Sequence, residues 1–246
     1  MSDEVLRLSK LMASRGLCSR READELIGAG VVKVDGVVVD QLGTKVLPSV
    51  KIEILPRAQK WLDEKVTILL NKPKGYVSSQ PEKDYQAAVQ LITEENHDLE
   101  DKKPFDRKHL YGLAPAGRLD IDSQGLLVLT QDGVIAKQLI GENSDVEKEY
   151  IVRVAGSLTD EALEALCDGT MVIEGRRLRP AQVEWINDDQ LRFVLKEGMK
   201  RQIRKMCELS GLTVLGLKRV RIGGVKLGTL AEGKWRYLGP RERFDV

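Results

Sequence analysis

The sequence is poor in the side chains that hold metals and disulfides. Its three cysteines, Cys18, Cys167 and Cys207, are odd in number and far apart. They offer neither a disulfide framework nor zinc-type spacing, and a reducing, cytoplasmic setting is expected. The two histidines, His97 and His109, are too few for a histidine-based metal site; both lie in a polar stretch and are expected at the surface. No apolar run approaches the length of a membrane span. The opening Met1-Ser2-Asp3-Glu4 lacks the basic-then-apolar layout of a signal peptide. There is no Gly-x-x-x-x-Gly-Lys-Ser/Thr phosphate loop, no Gly-x-Gly-x-x-Gly after a strand and no Gly-x-Ser-x-Gly elbow. Nucleotide hydrolysis, dinucleotide binding and serine-hydrolase chemistry are therefore unsupported. No metal or cofactor is expected, which leaves Asp, Tyr and Arg side chains to carry any chemistry.

What is present is an uneven charge. The 246 residues sum to a formal charge of only +1. Yet Lys196 to Arg221 holds eight basic residues against Glu197 and Glu208, a local balance of +6. A neutral chain with one strongly basic segment points to an anionic partner at one face.

Residues 5–55 read as a compact module. Val5, Leu6, Leu8, Leu11 and Met12 recur at helical spacing until Gly16. Ser19-Arg20-Arg21-Glu22 is a capping box that starts a second helix, from Arg20 to about Ala29. Val31–Val34 and Val37–Val39 are strand runs joined by Asp35-Gly36, a two-residue hairpin signal, and Lys51–Ile54 alternates as a closing strand. Together these segments resemble an S4 RNA-binding domain. The resemblance implies RNA contact by Arg7, Lys10, Arg15, Arg20, Arg21 and Lys33.

Residues 56–64 are polar, carry one proline and read as a linker. Val66–Leu70 is a buried-strand run, followed by the Pro/Gly-punctuated loop Asn71-Lys72-Pro73-Lys74-Gly75. A weak helix is expected near Gln86–Ile92, and Glu94–Lys103 reads as an exposed, mobile insertion.

Gly117-Arg118-Leu119-Asp120-Ile121-Asp122-Ser123-Gln124-Gly125 runs straight into the apolar stretch Leu126–Leu129. A carboxylate at the edge of a buried strand is either paired or functional, because desolvating it alone is costly. Asp120 has three readings from these residues alone. It can pair with Arg118 or another cation, share a metal with Asp122, or act in covalent catalysis beside a cation that keeps it ionised. Further on, Glu147–Val154 alternates as a strand, Leu158–Leu166 is an amphipathic helix begun by Thr159, and short strands follow. The segment from Arg201 is helical, with Ile203, Met206 and Cys207 on one face.

Gly117-Arg118-Leu119-Asp120 with Ser123-x-Gly125-Leu126-Leu127 resembles the catalytic motif of pseudouridine synthases. Lys148-Glu149-Tyr150 resembles their tyrosine-bearing strand, and Gly198-x-x-Arg201-Gln202-Ile203-Arg204-Lys205-Met206 their third motif. The Asn71–Gly75 loop is similar to the opening segment of the RsuA-like branch. The order matches too, and with the S4 module the resemblance covers nearly the whole chain. It implies an α+β protein: a small S4 domain of two helices and a hairpin (5–55), a linker (56–64), and a synthase domain (65–240) with a mixed, mainly antiparallel sheet flanked by helices. It implies isomerisation of uridine in large-subunit ribosomal RNA. Asp120 is the expected nucleophile, Arg204 its ion-pair partner and Tyr150 the stacking group. Substrate contact is expected from Arg118, Leu119, Ile121, Lys148, Lys200, Arg201, Gln202 and Ile203. The expected partner is a structured rRNA stem-loop, with a tRNA anticodon arm or small-subunit rRNA as alternatives, acted on by a monomer without membrane contact. The competing class is a non-catalytic S4-type RNA-binding factor.

Overall fold

A computed structural model describes residues 4–79 and 84–245. The N-terminal unit contains helices α1 (Leu8–Ser14) and α2 (Arg20–Gly28) and strands β1 (Val32–Val34), β2 (Val37–Val39) and β3 (Ile52–Ile54). The capping box at Ser19 forms as expected: the Glu22 amide donates to Ser19 Oγ, and the Ser19 amide donates to Glu22 Oε2 at 2.6 Å. Asp35 and Gly36 both take positive φ, 48° and 85°, which is what a tight turn between right-twisted strands requires. Leu8, Met12, Ala23, Leu26, Ile27 and Val32 are buried as one small core.

The expected linker is a helix, α3 (Pro56–Asp63). Pro56 opens it where a missing N–H costs nothing, and Ala58 is buried in the N-terminal core with Leu62 packed beside it. One small buried residue and one leucine were too weak a periodic signal to read in a polar stretch.

The larger unit is built on strands β4 (Thr67–Lys72), β5 (Gln124–Thr130), β6 (Lys148–Ala155), β7 (Gln182–Asn187), β8 (Gln190–Leu195), β9 (Thr213–Ile222) and β10 (Trp235–Tyr237). Their order in the sheet is β7-β8-β6-β9-β5-β4-β10, with short strands Ala114–Pro115 and Val225–Lys226 added on β5 and β9. Among the described residues of this sheet β5 and β9 are the one parallel pair; the other pairs are antiparallel. Helices α4 (Gly133–Ile140), α5 (Asp160–Cys167) and α6 (Gln202–Leu209) flank it. The fold is the mixed α+β arrangement expected.

The unbroken apolar run Leu126–Leu129 follows from burial on both faces. Leu127 and Leu129 enter one core cluster with Ile68, Leu70 and Val152, while Leu126 and Val128 enter a second with Leu69 and Leu139. All four are 0% exposed. Removing such a leucine side chain to Ala costs about 2–5 kcal/mol, so β5 is a rigid base for the loop in front of it.

Two expectations about polar segments are overturned. His109 is buried and its Nδ1 lies 2.7 Å from Tyr237 Oη, while His97 stacks on Trp235 with ring centroids 4.2 Å apart. The Trp235 indole donates to the Thr93 carbonyl at 2.8 Å. Residues 94–101 are thereby tied to β10 through Asn96, His97 and Asp98, while Glu94, Glu95, Leu99 and Glu100 stay exposed as expected. Aromatic stacking has no sequence period, so nothing local announced it. The weak helix near Gln86–Ile92 is a strand pair at Gln86–Ala87 and one 3-10 turn, Ala88–Leu91.

Candidate active site

Asp120 stands in the loop that leads into β5, half-buried at the rim of a cavity of about 700 Å³. The loop is fixed by its backbone. The Arg118 carbonyl accepts from Arg219 Nη1 at 3.3 Å, and Ser78 Oγ bonds both the amide and the carbonyl of Leu119. The Asp120 carbonyl accepts from the Ser123 amide and the Ile121 carbonyl from the Gly75 amide. Arg204 Nη2 donates to the Asp122 carbonyl at 3.1 Å, and Lys72 Nζ to the Ser123 carbonyl at 2.8 Å. Six successive carbonyls, 118 to 123, are thus held by partners on four separate parts of the chain and within the loop itself. Such support fixes the position from which the Asp120 side chain projects. Among the described residues the Asp120 carboxylate itself makes no ion pair within 4.0 Å.

Gly125 is the hinge of this construction. It has φ +103°, and a Cβ there would lie 2.3 Å from the Arg219 carbonyl oxygen. Only glycine lets the loop turn against β9 and enter the parallel pairing Gln124↔Lys218, Gly125↔Arg219.

Tyr150 on β6 lines the same cavity, 8% exposed, and pairs across the sheet with Arg219 of β9. Arg204 is carried by α6. Its expected partner was Asp120; the structure pairs it with Asp122 instead, Nη2 to Oδ2 3.1 Å, and with Ser123 Oγ at 3.4 Å. The physical reason is the tight turn after Asp120, which aims the second carboxylate at α6. Arg201 also reaches Asp122, at 3.2 Å, from a left-handed backbone position (φ 55°) before α6. Asp122 is therefore the anchor of the third motif on the Asp120 loop.

The other expected site residues divide. Arg118, Leu119, Lys148, Lys200, Arg201 and Ile203 line the cavity. Ile121 does not join them; it is half-buried, and its carbonyl accepts from the Gly75 amide. Gln202 touches the cavity but is 4% exposed; its amide group accepts from the Met199 amide and donates to Glu197, fixing the turn before α6. On the N-terminal unit Arg7, Lys10, Arg20 and Arg21 are exposed and Lys33 is half-buried. Arg15 spends both terminal nitrogens on the carbonyls of Val50 and Pro48, a structural task.

Two buried cations went unnoticed in the sequence as site residues. Lys72 is fully buried at the end of β4, and burial pushes its ammonium down to about 8, opposed by the nearby charges of Asp122 and Asp120. Arg219 is 3% exposed, with Nε donating to the Leu126 carbonyl at 2.7 Å. Lys72 ends an apolar strand run and falls in the Asn71–Gly75 segment similar to the family's opening, and these were the hints of the first. The second was one of eight cations in a basic segment.

The family pattern described as RNA pseudouridylate synthase matches residues 66–209, and the S4 domain pattern matches residues 6–52. The chain belongs to the RNA pseudouridylate synthase family. This synthase is 34% identical over 248 residues to the dual-specificity RNA pseudouridine synthase RluF of Salmonella typhi, covering all of this chain and 80% of that protein. A chloroplast protein of Arabidopsis thaliana, SVR1, is 39% identical over 233 residues; the match covers 92% of this chain and 56% of the longer plant protein. A crystal structure of a pseudouridylate synthase superposes with a TM-score of 0.64 at 29% identity, covering 95% of this chain and 96% of the other.

Proposed function

We propose that this synthase isomerises a uridine of large-subunit ribosomal RNA, with Asp120 as the catalytic carboxylate. The observation that carries the reading is the Asp120 loop: its carbonyls from 118 to 123 are all hydrogen-bonded while the carboxylate is free of ion pairs among the described residues and borders a cavity shared with Tyr150. In the reaction the N1–C1′ bond breaks, the base turns, and a C5–C1′ bond forms. C5 gives up its proton and N1 gains one, so no oxidant or cofactor is consumed. Asp120 attacks either the ribose or the base. Tyr150 supports the ring, and Arg204 keeps the loop in place through Asp122. A base in a duplex must first be extruded, at a cost of a few kcal/mol. Arg118, exposed at the cavity mouth, serves to occupy the vacated stack or grip a phosphate. Lys200 and Arg201 lie along the backbone path.

The name of the Salmonella relative includes dual specificity, which supports a second structured RNA, such as a tRNA anticodon arm, as a further substrate here. We read Arg7, Lys10, Arg20, Arg21 and Lys33 as the S4 contact surface, with the domains divided near residues 56–64. The work of a single chain in the cytoplasm is consistent with this reading.

The test is conversion of a large-subunit rRNA fragment by purified protein. Wild type should form pseudouridine, and Asp120→Asn should bind the fragment but form none. Persistent conversion by Asp120→Asn overturns the role of Asp120. Binding without any product in the wild type favours a non-catalytic RNA-binding factor.

A further inference from the structure

The wall of the cavity beneath Tyr150 carries two cations with no acid to answer them. Lys148 lies two residues before Tyr150 on β6, and Arg219 lies opposite Tyr150 on β9. All three line the cavity. Arg219 uses Nε and Nη1 on the carbonyls of Leu126 and Arg118, but its Nη2 is buried without a hydrogen-bond partner. Lys148 Nζ has one partner, the Val146 carbonyl at 3.1 Å. Among the described residues neither has a carboxylate within 4.0 Å. Burial, then the charges of Arg219 and Arg179, push the Lys148 ammonium down to about 8.

Elsewhere the same sheet matches its arginines carefully. Arg221, two residues beyond Arg219, is held by Glu147 and Glu149, and Arg192 by Glu149 and Glu184. Two neighbouring cations left unpaired in a desolvated wall raise the free energy of the empty site, and an anion placed between them relieves it. The substrate has one anionic group in its ground state, the phosphodiester; the uracil ring is neutral until N1–C1′ breaks. A cavity of about 700 Å³ lies within the range that takes a whole nucleotide-sized ligand rather than a ring alone.

We propose that Lys148 and Arg219 form the seat of a phosphodiester adjoining the extruded uridine, so that the cavity takes up the target as a nucleotide with its phosphate. The inference rests on the reading that the target uridine enters this cavity.

The test uses a large-subunit rRNA fragment whose modified uridine has been mapped, with a neutral methylphosphonate at its 5′ or its 3′ linkage. For wild type, one of the two replacements should raise KM about tenfold, the loss of one charge-assisted contact. In Lys148→Met, which removes a side chain that bonds only one carbonyl, that same replacement should have almost no further effect, because the two changes remove one interaction. Arg219→Lys, which keeps the charge, should retain part of the sensitivity to the replacement. Unchanged KM for both linkages overturns the proposal. So does a Lys148→Met variant that loses kcat equally on every RNA with KM intact, since the cations would then serve the departing base. Failure of wild type on the unmodified fragment would instead overturn the reading of the cavity as the active site, which separates the two.

Discussion

Arg204 holds the Asp120 loop through the residue two places after the proposed nucleophile: its Nη2 is 3.1 Å from both the carboxylate Oδ2 and the carbonyl oxygen of Asp122. The carboxylate is 42% exposed, so its ion pair is worth little on its own, within about 1 kcal/mol. The carbonyl contact comes from a guanidinium that is mostly buried. Asp122→Asn should therefore lower kcat by no more than about fivefold. Arg204→Met, which releases Asp122 and Ser123 together, should lower it by about a hundredfold at little change in KM. Single-turnover rates on one RNA fragment compare the two. Equal losses would mean that the carboxylate, not the backbone, is the contact that matters.

Gly125→Ala should be among the most damaging single changes outside the cavity. The new Cβ would meet the Arg219 carbonyl oxygen at 2.3 Å and sit on a backbone at φ +103°. Displacing β9 from the loop should cost about 2–5 kcal/mol. Gly112→Ala, at φ +70° with nothing within 4 Å, should cost only the backbone strain, about 1 kcal/mol. Urea unfolding of both variants checks this, and similar midpoints would contradict it.

Lys72 makes a specific pH dependence. Burial lowers its folded-state value from 10.5 to about 8. Between those pH values the unfolded chain binds a proton that the folded chain has released, so stability rises with pH across that window. Below about pH 8 the charged lysine is present in both states and the cost of burying it is constant. Relative to Lys72→Met, wild type should gain up to about 1.4 kcal/mol per pH unit between pH 8 and 10.5. Parallel stability profiles for the two proteins would show that Lys72 is not desolvated as the structure has it. The same variant frees the carbonyls of Pro73 and Ser123, so kcat should fall as well.

The S4 unit meets the synthase unit at Gly133. A Cβ there would lie 2.3 Å from Ser19 Cβ, and Glu22, which caps α2, also reaches the Gly133 amide at 3.4 Å and the mostly buried Lys65. Burial raises the Glu22 carboxyl, but its hydrogen bonds to Lys65 and Ser19 outweigh this and hold it below the usual value. The contribution is present at neutral pH and is lost as pH falls through that lowered value. Gly133→Ala should separate the two units without unfolding either. Faster proteolysis near residues 56–64 and weaker binding of the rRNA fragment are the expected readouts. A variant with wild-type cleavage and affinity would show that this contact does not hold the S4 unit in place.

Much of the architecture was written in local chemistry. The capping box at Ser19, the Asp35-Gly36 turn, the doubly buried run Leu126–Leu129 and the apolar face of Ile203, Met206 and Cys207 all depend on near neighbours in the chain, so spacing alone specified them. Asp120 stood out locally as a carboxylate at the edge of a buried strand, but its own loop left three readings open, and the distant motifs at Tyr150 and Arg204 were needed to favour one. What spacing could not supply was which partners converge on that loop. The six carbonyls from 118 to 123 are bound by residues as distant as Ser78 and Arg219, and Arg204 selects Asp122 over Asp120 because of the direction in which the turn points each carboxylate. Lys148 was legible as a substrate contact, but nothing local showed that Lys72 and Arg219 would be buried, or that Arg219 would share a cavity wall with Lys148. Desolvation is a property of position in three dimensions, and only the packed sheet decided which charges would bear it.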